Sequence, residues 1–215
     1  MDLTLVMRVV LLGVVVALPR ASPVGGAAPV SVPVQPLLIT CDLDADGTPE
    51  RLTLDPKADP ALTIRRGGKR LWRGIPARWR PWKLATADVD GDGKPEIVLG
   101  VHKATRFFPK PHNCLFVYGW DGRRAYPRWL GSALSRPFTD FALAELDGRP
   151  GDELLAIEVT RDGGRCAGVY SWRGFGFAAC RQEGPWRAAR ILSAESDRII
   201  LEADGRRVEV KRASE

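Results

Sequence analysis

The chain has 215 residues, of which 45% are hydrophobic, and its formal net charge is +6. This content suffices for one well-filled domain. The 17 prolines and 22 glycines, and the lack of a long apolar face with a period of 3.6 residues, argue against a mainly helical protein. The positive charge is compatible with an acidic partner, although an arginine-rich solvated surface is the simpler interpretation.

The N-terminal segment has the features of a targeting signal. Residues 9–18 form an unbroken apolar run that follows Arg8, and this run is long enough for the core of a signal peptide but short for a membrane span. We therefore predict a signal peptide over residues 1–27, with an uncleaved anchor as the alternative, and a secreted or extracytoplasmic protein. Residues 28–35 are predicted to be a linker with a short edge strand at residues 30–34.

Two stretches of the chain, residues 42–50 and 88–96, share the acidic pattern D-x-D-x-D-G-x-x-E. Carboxylates so closely spaced repel one another unless a cation lies among them, and hard oxygen ligands in a glycine-turned loop suit Ca²⁺. An EF-hand is excluded because the position of its last glutamate is occupied by Thr53 or Leu99, in strand-like runs. The acidic residues of the two loops are Asp42, Asp44, Asp46 and Glu50, and Asp88, Asp90, Asp92 and Glu96.

Predicted strands flank both loops, and the same layout recurs further along the chain. The third loop has Glu145, Asp147 and Glu153 at positions one, three and nine, but Arg149 at position five, which predicts a metal-free or weak site with the arginine in place of the ion. The fourth loop is reduced to residues 195–197. Four units of about 50 residues predict an all-β fold, a β-propeller of about four four-stranded blades over residues 36–215. The last blade would take its fourth strand from residues 30–34.

The repeated pattern D-x-D-x-D-G-x-x-E between two strands resembles the FG-GAP and VCBS repeats, which occur in integrin α-subunit propellers and in exported bacterial proteins. The resemblance implies a β-propeller with one Ca²⁺ in each intact loop. It implies ligation by the side chains at positions one, three, five and nine and by the backbone carbonyl at position seven, which belongs to Thr48 and to Lys94. Integrin-type propellers have seven blades, and this chain is too short for seven.

Two further segments are rich in cationic and aromatic residues. In residues 70–83, arginines are interleaved with three tryptophans, an arrangement that suits an anionic ligand, although packing of the tryptophans between blades is the simpler interpretation. Residues 102–113 form the longest insertion between paired strands and hold both histidines. The predicted ligand contacts in this insertion are Arg106, Phe108 and Lys110.

The four cysteines include no C-x-x-C pair, so zinc and thioredoxin-type sites are not indicated. Export permits disulfides, and Cys166 and Cys180 lie symmetrically about Arg173 in a predicted hairpin, so we predict that they pair. Cys41 and Cys114 have no such relation and are left unassigned.

Neither G-x-S-x-G nor H-E-x-x-H occurs in the sequence, and catalysis finds little support. We predict an exported, calcium-stabilised, non-catalytic binding or scaffold module whose partner is an anionic polysaccharide or a cell-envelope protein. The alternative is a lyase-like enzyme that acts on anionic polysaccharide through residues 102–113. Export disfavours a nucleic-acid partner, and membrane contact is expected only through an uncleaved N-terminal segment.

Overall fold

β-Strands make up nearly all the regular structure of residues 33–212, the part of the chain that this computed structural model describes. They form four antiparallel sheets in chain order, and each sheet is a meander of sequential strands. The other regular element of this part is a 3₁₀ turn at Ala77–Trp79. Within the same residues, no helix has the length and apolar content needed to span a bilayer.

Among the described residues, the first three sheets have four strands each and the last has three. The first sheet comprises β1 (Leu37–Cys41), β2 (Glu50–Leu54), β3 (Leu62–Arg66) and β4 (Lys69–Gly74). The second comprises β5 (Pro81–Ala87), β6 (Glu96–Lys103), β7 (His112–Trp120) and β8 (Ala125–Gly131). The third comprises β9 (Phe138–Ala144), β10 (Glu153–Val159), β11 (Arg165–Trp172) and β12 (Phe177–Trp186), and the fourth comprises β13 (Ala189–Ala194), β14 (Arg198–Ala203) and β15 (Arg206–Lys211).

Alternation along the strands decides which face of each terminal sheet is buried. In the first sheet, Leu52 pairs with Ile64 and both are fully buried, whereas Arg51 pairs with Arg65 on the exposed opposite face. The fourth sheet follows the same rule: Leu201 is buried against the third sheet. Its outward face carries charged residues, namely Arg190, Glu202, Arg207 and Glu209. Polar outer faces allow an array of stacked sheets to end in water.

Three hydrophobic clusters join the sheets in pairs, first to second, second to third and third to fourth. In the middle cluster, Trp82 of β5 meets Phe141 of β9 edge to face, with ring centroids 5.6 Å apart. Within the described residues, no such cluster joins the fourth sheet back to the first. Each sheet therefore shares its core only with its neighbours in the chain.

The first strands of all four sheets line one cavity of about 550 Å³. Lys83 of β5 and Asp140 of β9 form an ion pair across it, with Nζ 2.5 Å from Oδ1. The four sheets thus turn their first strands toward a common space. The loop of the third sheet contacts those of its two neighbours, through Asp152 N–H to the Asp88 carbonyl and Glu145 N–H to the Ser196 carbonyl.

The structure confirms the all-β prediction and the order of four units. The predicted edge strand at residues 30–34 lies mostly outside the described residues. Residues 30–32 lie outside the described part, while Val34 belongs to no strand and is 79% exposed. Within the described residues, the fourth sheet has three strands. The interpretation of the tryptophans as packing residues is confirmed, since Trp82 lies in the core and Trp79 packs on Phe116.

Replacing Phe141 by alanine should destabilise the protein strongly, because its fully buried ring fills the cluster between the second and third sheets. We expect a loss of about 3–5 kcal/mol in the free energy of unfolding, measured by urea denaturation. The matched control is F107A in the insertion, where the ring is 75% exposed and the change should stay within about 0.5 kcal/mol. Equal losses in the two variants would contradict the assigned core.

Candidate metal-binding loops

Each of the first three sheets carries an acidic loop between its first and second strands. In every loop, the glutamate at position nine begins the second strand and is buried, with 0–5% of its surface exposed. Its Oε2 atom accepts a hydrogen bond from the backbone N–H of position two. The three bonds are Leu43 N to Glu50 at 3.0 Å, Val89 N to Glu96 at 3.1 Å and Leu146 N to Glu153 at 2.8 Å.

The aspartate at position one organises the turn of the first two loops. Asp42 accepts from the backbone N–H groups of Asp46 and Gly47, at 3.2 and 2.7 Å. Asp88 accepts from three such groups, those of Gly91, Asp92 and Gly93, at 2.8–3.1 Å. The glycine at position six adopts a positive φ, +86° in the first loop and +82° in the second, which a side chain would strain.

In the first loop, the carboxylate oxygens that the loop backbone leaves free converge on one guanidinium, that of Arg66 at the end of β3. Its nitrogens lie 2.9 Å from Asp44 Oδ1, 2.7 Å from Asp46 Oδ2 and 2.6 Å from Glu50 Oε1. These contacts, with hydrogen bonds to Glu50 first among them, raise the pKa of Arg66 above its usual range. The acids therefore have a positive charge at their centre.

In the second loop, a guanidinium also lies among the carboxylates, but it belongs to an arginine of a different strand. Arg128 of β8 donates from Nη1 to Glu96 and from Nη2 to Asp90. The other oxygen of Asp90, Oδ1, is buried and has no hydrogen-bond partner among the described residues. Burial raises the pKa of Glu96 to about 7, and the bond from Val89 N–H and the Arg128 charge oppose this rise.

The third loop gathers Glu145, Asp147 and Glu153. Within the described residues none of the three forms an ion pair, although the Arg212 guanidinium lies against Gly148 of this loop. Arg149, which was predicted to stand in for the ion, makes no ion pair within the described part of the chain. Burial raises the pKa of Glu153, and the charges of Asp147 and Glu145 add to the rise. This loop also contacts the second one, because Asp152 Oδ2 accepts from Asp88 N–H at 3.1 Å.

Several of the predicted metal ligands fit a divalent cation. In each of the three loops, one carboxylate oxygen from positions one, three and nine lies within 4.8 Å of the others. Hard carboxylate oxygens at this spacing suit Ca²⁺, and the buried, unpaired Asp90 Oδ1 is an acceptor that a cation would satisfy. Thr48 and Lys94 meet the loops through their N–H groups, which donate to Asp46 and Asp92 at 2.8 Å.

The insertion forms one wall of a separate cavity of about 730 Å³, whose opposite wall is residues 133–138. Phe108 and Lys110 line this cavity, whereas Arg106 is exposed and is not part of its lining. The two histidines turn to local partners: His102 Nδ1 is 3.0 Å from Asn113 Oδ1, and His112 Nδ1 is 2.9 Å from the Lys110 carbonyl. The predicted ligand contacts are therefore only partly brought together.

The structure does not form the predicted disulfide between Cys166 and Cys180. Cys166 is buried with Sγ 3.7 Å from Glu158 Oε2, whereas Cys180 is exposed with Sγ 3.2 Å from the Val169 carbonyl. The hairpin closes between Trp172 and Phe177, and a bulge sets Cys180 opposite the step from Val169 to Tyr170. The hairpin is therefore not centred on Arg173, and the equal spacing of Cys166 and Cys180 from Arg173 does not place them opposite each other.

Sequence reasoning missed a buried polar cluster around Glu158, which is 1% exposed. The Tyr170 hydroxyl donates to Glu158 Oε1, and Arg136 Nη1 donates to Glu158 Oε2 at 3.0 Å. Burial, followed by the bond to Glu158, raises the pKa of Tyr170 to about 12. The cluster fastens the segment before β9 to the third sheet, and an acid inside the apolar run of β10 is the signal that could have revealed it.

The arginines that meet the acids were also missed. Arg66 continues the inward alternation of Leu62 and Ile64 in β3, so a cation on the buried face was the available signal. Arg128 occupies a bulge between the partners of Val117 and Tyr118, and a bulge leaves no comparable mark in the sequence.

Comparison with family models matches residues 42–99 to the FG-GAP-like repeat. The match begins at the first loop, runs through the first sheet and ends in the strand that follows the second loop. Comparisons with curated proteins and with solved structures each found no match.

Replacing Asp88 by alanine should cost more stability in chelator than replacing Asp92, although the two changes remove the same charge from the same loop. Asp88 accepts three backbone hydrogen bonds and Asp92 accepts one, from Lys94. We expect losses of about 3 kcal/mol for D88A and about 1 kcal/mol for D92A in urea denaturation. A larger loss for D92A would contradict the assigned role of position one.

Proposed function

We propose that this FG-GAP-like repeat protein is an exported, propeller-like binding or scaffold module whose first two acidic loops bind Ca²⁺. The observation that carries the proposal is the convergence of carboxylates at positions one, three and nine in both loops, with the last one buried. Buried carboxylates require a cation or a proton, and a loop of hard oxygen ligands favours Ca²⁺.

The metal would be held by the side chains at positions one, three, five and nine and by the carbonyl at position seven. In the first loop these are Asp42, Asp44, Asp46, Thr48 and Glu50, and in the second Asp88, Asp90, Asp92, Lys94 and Glu96. When bound, Ca²⁺ supplies positive charge that holds the loop closed. The chain itself fixes both ends of each loop. The aspartate at position one and the glutamate at position nine do so by accepting hydrogen bonds from backbone N–H groups of the loop.

The arrangement of the four sheets supports a propeller-like architecture. Successive sheets share hydrophobic clusters, and their first strands, β1, β5, β9 and β13, line one cavity. This is the relation that the blades of a propeller have to its axis. The polar outer faces of the first and fourth sheets suit an open array of four sheets.

Export and a partner outside the cytoplasm are inferred from the sequence. The apolar run at residues 9–18 supports a signal peptide or anchor over residues 1–27, a segment outside the described residues. A cell-envelope protein or an anionic polysaccharide is the proposed partner. The cavity beside the insertion, which is lined mainly by apolar residues together with Lys110 and Arg136, suits a segment of an envelope protein better than an anionic polysaccharide.

A lyase-like activity on anionic polysaccharide is less well supported. The lining of the cavity is dominated by prolines, Phe108, Leu134 and Phe138, rather than by the several cations that an anionic glycan would need. Both ring nitrogens of His112 bond to main-chain carbonyls, so His112 is not free to act as a base in this arrangement. His102 donates from Nδ1 to Asn113 Oδ1 and is the one histidine of the insertion whose Nε2 has no hydrogen-bond partner among the described residues.

Calcium should raise the melting temperature of the protein, because a ligand that binds only the folded state stabilises it. At a calcium concentration 100 times the Kd, each of the two sites contributes about 2.7 kcal/mol, which together correspond to about 10–20 °C relative to chelator in a scanning-calorimetry experiment. The double variant D44A/D90A, which removes position three from both loops, should lose most of this shift. D121A, which removes an acid from a turn outside the loops, is the control. No shift in the wild-type protein would sink the calcium proposal.

Export can be tested by expressing the full chain with a C-terminal tag and measuring the mass of the tagged protein outside the cytoplasm. We expect either a product that has lost about 27 residues or a full-length product in the membrane fraction. A variant without residues 9–18 should remain in the cytoplasm. Cytoplasmic retention of the unmodified chain would overturn this part of the proposal.

A further inference from the structure

We propose that Arg66 and Arg128 are tethered counter-cations that compete with Ca²⁺ for the first and second loops, so that calcium binds by exchange with a guanidinium. This inference rests on the proposed calcium binding of these loops. It concerns what the chain itself places among the acids, and it predicts that the two arginines set the calcium affinity.

The competition follows from the oxygens that each cation needs. In the first loop, both Asp42 oxygens and one oxygen each of Asp46 and Glu50 are held by backbone N–H groups. The remaining four, both of Asp44 and one each of Asp46 and Glu50, all bond to Arg66. A Ca²⁺ ion held by positions one, three, five and nine needs the carboxylates of Asp44, Asp46 and Glu50, so it competes with Arg66 for their oxygens.

In the second loop, the arginine likewise occupies carboxylate oxygens that Ca²⁺ would need, but it occupies fewer of them. Arg128 holds Glu96 Oε1 and Asp90 Oδ2, two of the oxygens that the backbone N–H groups of the loop leave available. It leaves Asp90 Oδ1 buried and unpaired within the described residues. A guanidinium therefore satisfies this loop less fully than the first, and we expect calcium to displace Arg128 more readily than Arg66.

The two arginines reach equivalent loops from different places in the sheet. Continuing the β2–β3 register places Arg66 opposite Glu50, and the corresponding residues are Gly119 in the second sheet and Ser171 in the third. Arg128 instead occupies the bulge of the β7–β8 pair. The two guanidinium groups therefore do not come from one strand position that the repeats share. Each of the two loops with the full acidic pattern is paired with an arginine from a different position in its sheet.

The third loop provides the contrast within the same chain. It lacks the acid at position five, and the bulge residue of its sheet that corresponds to Arg128 is Cys180. Within the described residues no arginine pairs with its acids, although Glu153 is buried. The arginine accompanies the complete acid set, as expected if its charge offsets the repulsion among four carboxylates.

The structure also leaves each arginine room to withdraw. Arg66 is followed by the exposed turn Gly67-Gly68, and its side chain is already 25% exposed. Arg128 borders a cavity of about 300 Å³ between the second and third loops, and its Cζ lies 5.6 Å from the Trp172 ring, which can hold a displaced guanidinium by cation–π attraction. Exchange therefore requires side-chain rotation and no rearrangement of the strands.

The test is isothermal titration of chelator-stripped protein with CaCl₂ for the wild type, R66Q, R128Q and the double variant. Each single substitution should tighten calcium binding at one loop by about tenfold, and the double variant should tighten both. Each should also lower the melting temperature in chelator, because buried Glu50 or Glu96 loses its partner. R149Q, in the third loop, is the matched control and should leave both calcium sites within about twofold of wild type.

Unchanged or weaker calcium binding in both R66Q and R128Q would overturn the exchange while leaving the proposed calcium binding intact. Binding by the variants alone would show that the arginines block the loops, and it would overturn both the exchange and calcium binding by the wild-type chain, as would the absence of binding by any of them. If R66Q unfolds in chelator, R66K replaces it. Lysine keeps the charge but loses the forked geometry, so affinity should rise by about threefold, and no rise would count against the exchange.

Discussion

The hydrogen bond from the backbone N–H of position two to the buried glutamate at position nine underlies the first three sheets. It joins the start of each acidic loop to the start of the strand that leaves it, at 3.0, 3.1 and 2.8 Å. The residue at position two, Leu43, Val89 or Leu146, is itself buried, so the bond also sets an apolar anchor under the loop. With both ends fixed, the intervening aspartates have little freedom, and their oxygens face one another. The price is a carboxylate inside the protein.

That buried carboxylate explains the differences among the loops. The first two resolve it with a guanidinium, which supplies several donors in a fixed plane and cannot lose its charge. The third lacks the acid at position five and pairs with no arginine within the described residues, and burial raises the pKa of its Glu153, as it also raises that of Glu96 in the second loop. A metal ion would be a third solution to the same electrostatic problem. The three loops therefore differ chiefly in how the charge of the buried glutamate at position nine is neutralised, rather than in how closely each matches the acidic sequence pattern.

Much of the fold follows from the sequence because both of its main signals are local. Alternating burial in strands such as β2 and the recurrence of acids at fixed offsets gave the strands, their order and the position of the loops. The errors come from non-local geometry. The hairpin after Cys166 closes past Arg173 and contains a bulge, which moved Cys180 away from its expected partner. Arg66 and Arg128 are 16 and 32 residues beyond the glutamates they meet, and only strand register brings them there.

The division of the core into three pairwise clusters affects how such a chain can diverge. Because no single core is shared by all the sheets of the described part, a change in one loop strains its own sheet and the sheets beside it, and not those two places away. Acids can then be lost from one repeat while the others keep theirs, which matches the gradient from the complete loop at Asp42 to the remnant at residues 195–197. The same modularity permits each loop to be tuned separately, so that one protein can carry neighbouring acidic loops whose buried carboxylates are neutralised in different ways.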